Sequence, residues 1–143
     1  MKQRNSLIKI GKGLLLASLF ATSTFAIEKY TKVDRIKDML TMADAMEKIQ
    51  KGLLFRCEDG RCVKDGVDSI KKVLHTIENV DPKDFLDAEQ VHAHKFAKKT
   101  RLMLTMYLDE MEDELRRGDQ DEVIHNYALA LRQCTSCHLR LRK

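Results

Sequence analysis

The spacing of its apolar residues most constrains what this chain can fold into. From Val33 onward they recur in steps of three and four, the period of one helix face, and no stretch alternates as a strand would. Between about Val33 and Phe55 the expected stripe is Ile36, Met39, Leu40, Ala43, Met46, Ile49, Leu53 and Leu54. Cys57 to Gly66 interrupts it, with Asp59-Gly60 and Asp65-Gly66 as turn signals. A second stripe runs from Val67 to Val80 through Ile70, Val73, Leu74 and Ile77. Asp81-Pro82 then opens a third helix, with Asp81 as cap and the chain's single proline in the first turn. Phe85, Leu86, Val91, Phe96, Leu102, Met103, Met106, Tyr107, Met111 and Leu115 mark that helix, and Gly118 ends it. Asp119 caps a fourth, with Val123, Ile124, Tyr127, Leu131 and Cys134 in its stripe. Four amphipathic helices with short connections predict an all-α fold, an antiparallel four-helix bundle.

The fourth helix runs into Cys134-Thr135-Ser136-Cys137-His138, and Cys-x-x-Cys-His is the attachment pattern of a c-type haem. The spacing follows from the chemistry. Two thiols must reach the two vinyl groups of one porphyrin, and the imidazole must then lie under the iron. On a helix, positions i, i+3 and i+4 share one face, so a single turn can fasten the macrocycle through Cys134 and Cys137 and supply His138 as proximal ligand. The competing readings are a redox Cys-x-x-Cys and half of a zinc site. A lone helical peptide could not shield a porphyrin, whereas a four-helix bundle can hold one between its helices at one end.

The N-terminus reads as an export signal. Lys2, Arg4, Lys9 and Lys12 form a basic segment free of acidic residues, Leu14 to Phe20 form a short apolar core, and Thr24-Phe25-Ala26 supplies small residues for cleavage after Ala26. Of 143 residues, removing 1–26 leaves 117, enough for one domain spanning 27–143. The full chain carries 26 Lys+Arg against 22 Asp+Glu, but four of the basic residues belong to the signal. The mature chain is formally neutral, which gives no case for nucleic-acid binding.

Haem motif, export signal and helical layout together resemble class II c-type cytochromes, the cytochrome c-prime family, in which the haem motif lies on the last helix of a four-helix bundle. The resemblance implies one covalent haem c. It also implies maturation in the periplasm, where c-type haems are joined to their proteins. The family places an arginine four residues after the haem histidine, near the haem; that position is Arg142 here, preceded by Leu141 where an aromatic residue is common. An arginine near the start of the first helix precedes by four the residue over the distal haem face, and Arg35 and Met39 match that spacing. Low-spin members use a methionine there as an iron ligand. Met39 is therefore the expected distal ligand, with Met42 the runner-up and Met46 a further competitor on the same face. A methionine stripe is also ordinary core filler. The histidines offer a bis-His alternative, but His92 and His94, two apart, point in different directions, and His75 and His125 read as surface or structural residues.

Cys57 and Cys62 need a separate reading. Val63, not histidine, follows Cys62, so the pair is not a second haem site. In an oxidising compartment a disulfide closing the loop between the first two helices is expected, with metal binding and a thiol switch as alternatives. The functional expectation is a periplasmic electron carrier, not an enzyme, that passes single electrons between membrane-bound and periplasmic redox proteins. The alternative is a five-coordinate high-spin protein that binds NO or CO. Family members often form homodimers through the first two helices.

Overall fold

The computed structural model describes residues 30–57, 61–81 and 91–141. The signal segment, the Asp59-Gly60 turn, the Pro82 helix start and Arg142 lie outside the described residues. Four helices make up the described chain: α1 (Lys32–Phe55), α2 (Cys62–Thr76), α3 (Val91–Arg117) and α4 (Gln120–Leu141). No strand occurs among the described residues.

Local chemistry sets the helix ends. Thr31 and Asp34 form a capping box on α1, the Asp34 N–H donating to Thr31 Oγ1 at 3.2 Å and the Thr31 N–H to Asp34 Oδ2 at 2.8 Å. The Tyr30 hydroxyl donates to Asp38 Oδ2 at 2.9 Å; burial, then this bond, hold the phenol well above its ordinary pKa. Gly118 ends α3 at φ 78°, and the Asp119 N–H reaches Glu114 O at 3.1 Å, closing a Schellman turn. Asp119 then caps α4, accepting from the Glu122 N–H at 3.2 Å.

Register follows from the contacts between neighbours. Lys48 pairs with Asp65 at 3.0 Å and Gly52 lies against Val63, so residue numbers rise along α1 as they fall along α2. Lys71 holds Asp109 at 2.7 Å and Glu112 at 2.8 Å, while Arg101 donates to Ile77 O at 3.3 Å, which sets α3 opposite in direction to α2. The guanidinium of Arg140 lies over the Phe96 ring, 4.6 Å from its centroid, so the end of α4 meets the start of α3. The α1/α2 and α3/α4 pairs pack extensively and the α2/α3 seam less so, whereas α1 and α4 hardly touch.

The core joins Met42, Ala45, Met46 and Ile49 of α1 to Val67, Ile70, Val73 and Leu74 of α2, Leu104, Leu108 and Met111 of α3, and Val123 and Ala130 of α4. The second helix begins five residues earlier than expected, because Asp65-Gly66 is no turn, and ends at Thr76 rather than Val80, where the Glu78 N–H turns back to His75 O and the Val80 N–H to Ile77 O, each at 3.2 Å. Gly66 is buried inside α2, where its missing side chain lets the two backbones approach. A Cβ there would sit 2.8 Å from Ala45 O and 2.5 Å from Ile49 Cγ1. The α1 stripe is also displaced. Ile36 and Leu40 are exposed, as is Leu54 at 66 %, and Met42 and Ala45 take their places. This helix carries two apolar faces, and a period alone does not choose which one is buried. On α3 the core residues are Leu104 and Leu108, while Leu102 and Met106 face outward. On α4, Ile124 and Leu131 face outward too.

Gly66→Ala is expected to lower stability by about 1–3 kcal/mol in denaturant melts, the overpacking cost outweighing the gain in helix propensity, because the closest obstacles include a backbone oxygen. The Lys71 ammonium holds the Glu112 carboxyl below its ordinary 4.5, so this group stabilises the fold above that pH and the contribution is lost as pH falls through the lowered value. Replacing Glu112 with Gln should cost less than about 1 kcal/mol at pH 7, given solvent screening. The difference from the parent should close in melts run below pH 4.5.

Candidate functional site

The continuous α4 helix carries Cys134, Cys137 and His138 through its last two turns. At about 100° per residue, Cys137 lies about 60° to one side of Cys134 and His138 about 40° to the other. The buried residues of α4, Val123, Asn126, Ala130 and Gln133, lie on the Cys137 side, toward Arg140 and the Phe96 ring of α3. His138 is exposed on the opposite side and, with Cys134, Thr135 and Leu139 of the same helix, borders a shallow, open recess. The motif thus straddles the edge of the core: Cys134 packs against the core cluster, Cys137 is half-buried, and the imidazole is exposed.

Both thiols are free and half-buried. Burial pushes each above the ordinary thiol value, with the neighbouring Cys134 adding to the shift at Cys137. A redox-active Cys-x-x-Cys needs the reverse, a thiolate stabilised by nearby positive charge or a helix N-terminus. Here the pair sits at a helix C-terminus, whose partial negative charge disfavours thiolate. Among the described residues no group of three His, Cys, Asp or Glu side chains is placed to hold a metal ion.

The α1 candidates lie on a consistent side of their helix. Lys48, Gly52, Ala45 and Ile49 mark the side of α1 that meets α2. Met42, Met46 and Met39 are displaced from that side by up to about 120° around the helix, at its edge away from α2. Met42 and Met46 are buried, and Met39 is half-buried against the core. Arg35, one turn before Met39, is half-buried, its N–H donating to Thr31 O at 3.1 Å. Arg142 lies outside the described residues. Ile36 and Leu40 continue the apolar surface of α1 beyond Met39, and Ile124, Leu131 and Leu139 do so on α4 beside His138. Reading for a single core stripe hides these residues; what marks them is that each helix holds more apolar residues than one face can bury.

His92 is exposed, whereas His94 Nε2 is buried with no hydrogen-bond partner. His94 lies on the side of α3 that carries Arg101 and Glu112, the side facing α2, not the Phe96 side that meets α4. Cys57 and Cys62 are joined in a disulfide, Cα–Cα 5.8 Å, packed on Gly52, where a Cβ would sit 2.9 Å from Cys62 Sγ. The expected bridge between the first two helices is thus present, and it occupies the end of the α1/α2 pair remote from the α1 start.

Comparison with protein-family models, with curated proteins and with solved structures finds no match. The raised thiols have a direct consequence. In haem-free protein, alkylation of Cys134 and Cys137 by iodoacetamide should be slow at pH 7 to 8 relative to free cysteine. It should climb only above pH 9, the ordinary thiol value. Fast labelling at neutral pH would point to a redox thiol pair instead.

Proposed function

We propose that the chain is an exported class II c-type cytochrome, an antiparallel four-helix bundle that carries single electrons on one covalent haem. The observation that carries this reading is the Cys134/Cys137/His138 turn beside an open recess, on the side of α4 that α3 does not cover. The donor set fits a haem c: two reduced thiols and one imidazole on adjoining sides of one helical turn. The thiols of Cys134 and Cys137 would hold the porphyrin by thioether bonds, and His138 would supply the proximal nitrogen. When bound, haem supplies a reversible one-electron couple at its iron.

The helix arrangement adds a second support. In a closed antiparallel bundle α4 would return alongside α1, bringing the starts of α1 and α3 and the end of α4 to one end. Of the exposed apolar side chains, Ile36 of α1 and Leu131 of α4, each about half exposed, lie nearest that side of their helices. A porphyrin-sized apolar plane would cover surface of this kind, which otherwise costs free energy in water. Met39, at the α1 edge turned away from α2, is the favoured distal ligand. A thioether there would raise the potential and exclude small ligands. Periplasmic and membrane-bound redox proteins would be the partners, and the first 26 residues the export signal.

One observation favours the high-spin alternative that binds NO or CO. Met39 packs against the core cluster, as a filler residue does. Spectra of haem-loaded protein decide between the two. The expected outcome is a low-spin six-coordinate spectrum in the parent and in Met42→Ala, converted by Met39→Ala into a high-spin spectrum that shifts on adding CO. A parent that is already high-spin and binds CO installs the alternative. Absence of covalent haem in a denaturing-gel stain, after expression with the cytochrome c maturation machinery, sinks both.

A further inference from the structure

Charge is sorted lengthwise along the α3/α4 pair. Residues 91–108 and 123–141 carry six basic residues and no acidic one, while residues 109–122 between them carry eight acidic and two basic residues. The Phe96–Arg140 contact sets the two basic halves side by side, and the Gly118 turn joins the acidic halves at the opposite end. The centres of the two charge sets are separated by roughly 20 Å along the helices, at 1.5 Å per residue. The α3/α4 pair therefore carries a dipole along its length, its positive end around the Cys-x-x-Cys-His turn.

Ion pairing follows the same division. Lys48, Lys51, Lys64 and Lys71 each hold a carboxylate, as do Arg116 and Arg117 at the acidic end. Lys95, Lys98, Lys99 and Arg132 are exposed, and among the described residues no carboxylate pairs with them. Exposed Leu102 and Leu139 sit among these charges, Leu139 at 78 %. Residues 82–90, outside the described residues, add Lys83, Asp84, Asp87 and Glu89 in sequence.

We infer that this basic end of α3/α4 is a docking face for the acidic surface of a redox partner. The inference rests on the electron-carrier reading and names the chemistry of its partner. Exposed lysines with no carboxylate partner among the described residues keep their solvation and can meet a complementary surface, which favours fast, salt-sensitive encounter over tight binding. A dipole pointing along the hairpin orients that encounter, turning the His138 recess toward the acidic partner and the carboxylate end away. Of the three exposed leucines at this end, Leu131 and Leu139 adjoin the proposed haem side and Leu102 stands clear of it, so the free apolar content of the face is small and suits a transient interface. A bilayer-binding face would instead present a continuous apolar stripe beneath its basic residues.

Two measurements on the full holoprotein test this. The first is the rate of electron exchange with an anionic probe, hexacyanoferrate, and a cationic probe, hexaammineruthenium, at low and high ionic strength. The anionic probe should gain about tenfold at low salt over high salt. The triple variant Lys95→Glu, Lys98→Glu, Lys99→Glu should lose that gain, and Asp109→Lys with Asp113→Lys should keep it. Equal salt dependence in parent and triple variant overturns the proposal. The second is titration with a polyglutamate peptide followed by amide shifts. Changes should map to residues 95–102 and 131–141 in the parent and vanish in the triple variant; shifts elsewhere, or none, overturn the proposal. Stronger binding to phosphatidylglycerol vesicles than to polyglutamate also overturns it, making the face a membrane site. If the haem does not reduce reversibly at an electrode, the electron-carrier reading fails, while the peptide titration still decides the surface.

Discussion

The rest of the structure depends on the unequal closure of its helix seams. The α1/α2 and α3/α4 pairs are packed along their lengths, α2 and α3 join them, and α1 and α4 hardly touch. Among the described residues α1 and α4 therefore spend one apolar face on their neighbours and leave further apolar residues exposed, Ile36 and Leu40 on α1, Ile124, Leu131 and Leu139 on α4. Large unpartnered apolar surface is unfavourable in water and in monomeric proteins marks a place where something binds. The only cysteines outside the disulfide, together with His138, stand beside that surface. Apolar surface beside a few polar and nucleophilic groups is what the proposed haem site would need.

The rotation of α4 connects the turn at Gly118 to this site. The Schellman turn and the Asp119 cap fix where α4 begins. From there the count of residues alone determines which side Cys134 and His138 occupy, since each residue turns the helix by about 100°. Val123, Asn126 and Ala130 lock the rotation by burial against the core. One residue inserted between Ala130 and Cys134 would leave the motif intact in sequence and turn it by about 100° against the core. The chemistry of the site is local, but its address is set by the buried residues of the preceding turns.

Much of this was legible in the sequence, and the failures have physical causes. All four helices, the Gly118 stop and the Asp119 cap follow from period and end chemistry, and the stripe of α2 was read correctly from Val67 to Leu74. Asp65-Gly66 misled because glycine serves two purposes, freeing a backbone in turns and clearing space in packed helices; only the approach of Ala45 and Ile49 distinguishes them. The α1 stripe misled because Ile36, Leu40 and Leu54 satisfy the same period as the buried set. Hydrophobicity says that a face will be covered and is silent on whether protein covers it. The Cys-x-x-Cys-His motif was plain in sequence, but its position at the margin of the core, and the sorting of paired from unpaired lysines, exist only once the helices are set side by side.

The four cysteines show how one chain can keep two thiol fates apart. Cys57 and Cys62 are five residues apart and 5.8 Å between Cα atoms, so closing their loop costs little entropy and each finds the other first. Gly52 supplies the space that seats the bridge against α1. Cys134 and Cys137 are carried on a different helix, half-buried, and held in the protonated form by burial. Exchange requires a thiolate, so raising these thiols slows their attack on the Cys57–Cys62 bond and on any disulfide oxidant that would join them. Under the export reading this matters, because an oxidising compartment would otherwise scramble the pairs before haem is joined. Burial at the edge of the core thus serves the site twice, guarding the thiols and leaving them beside the recess where a porphyrin would enter.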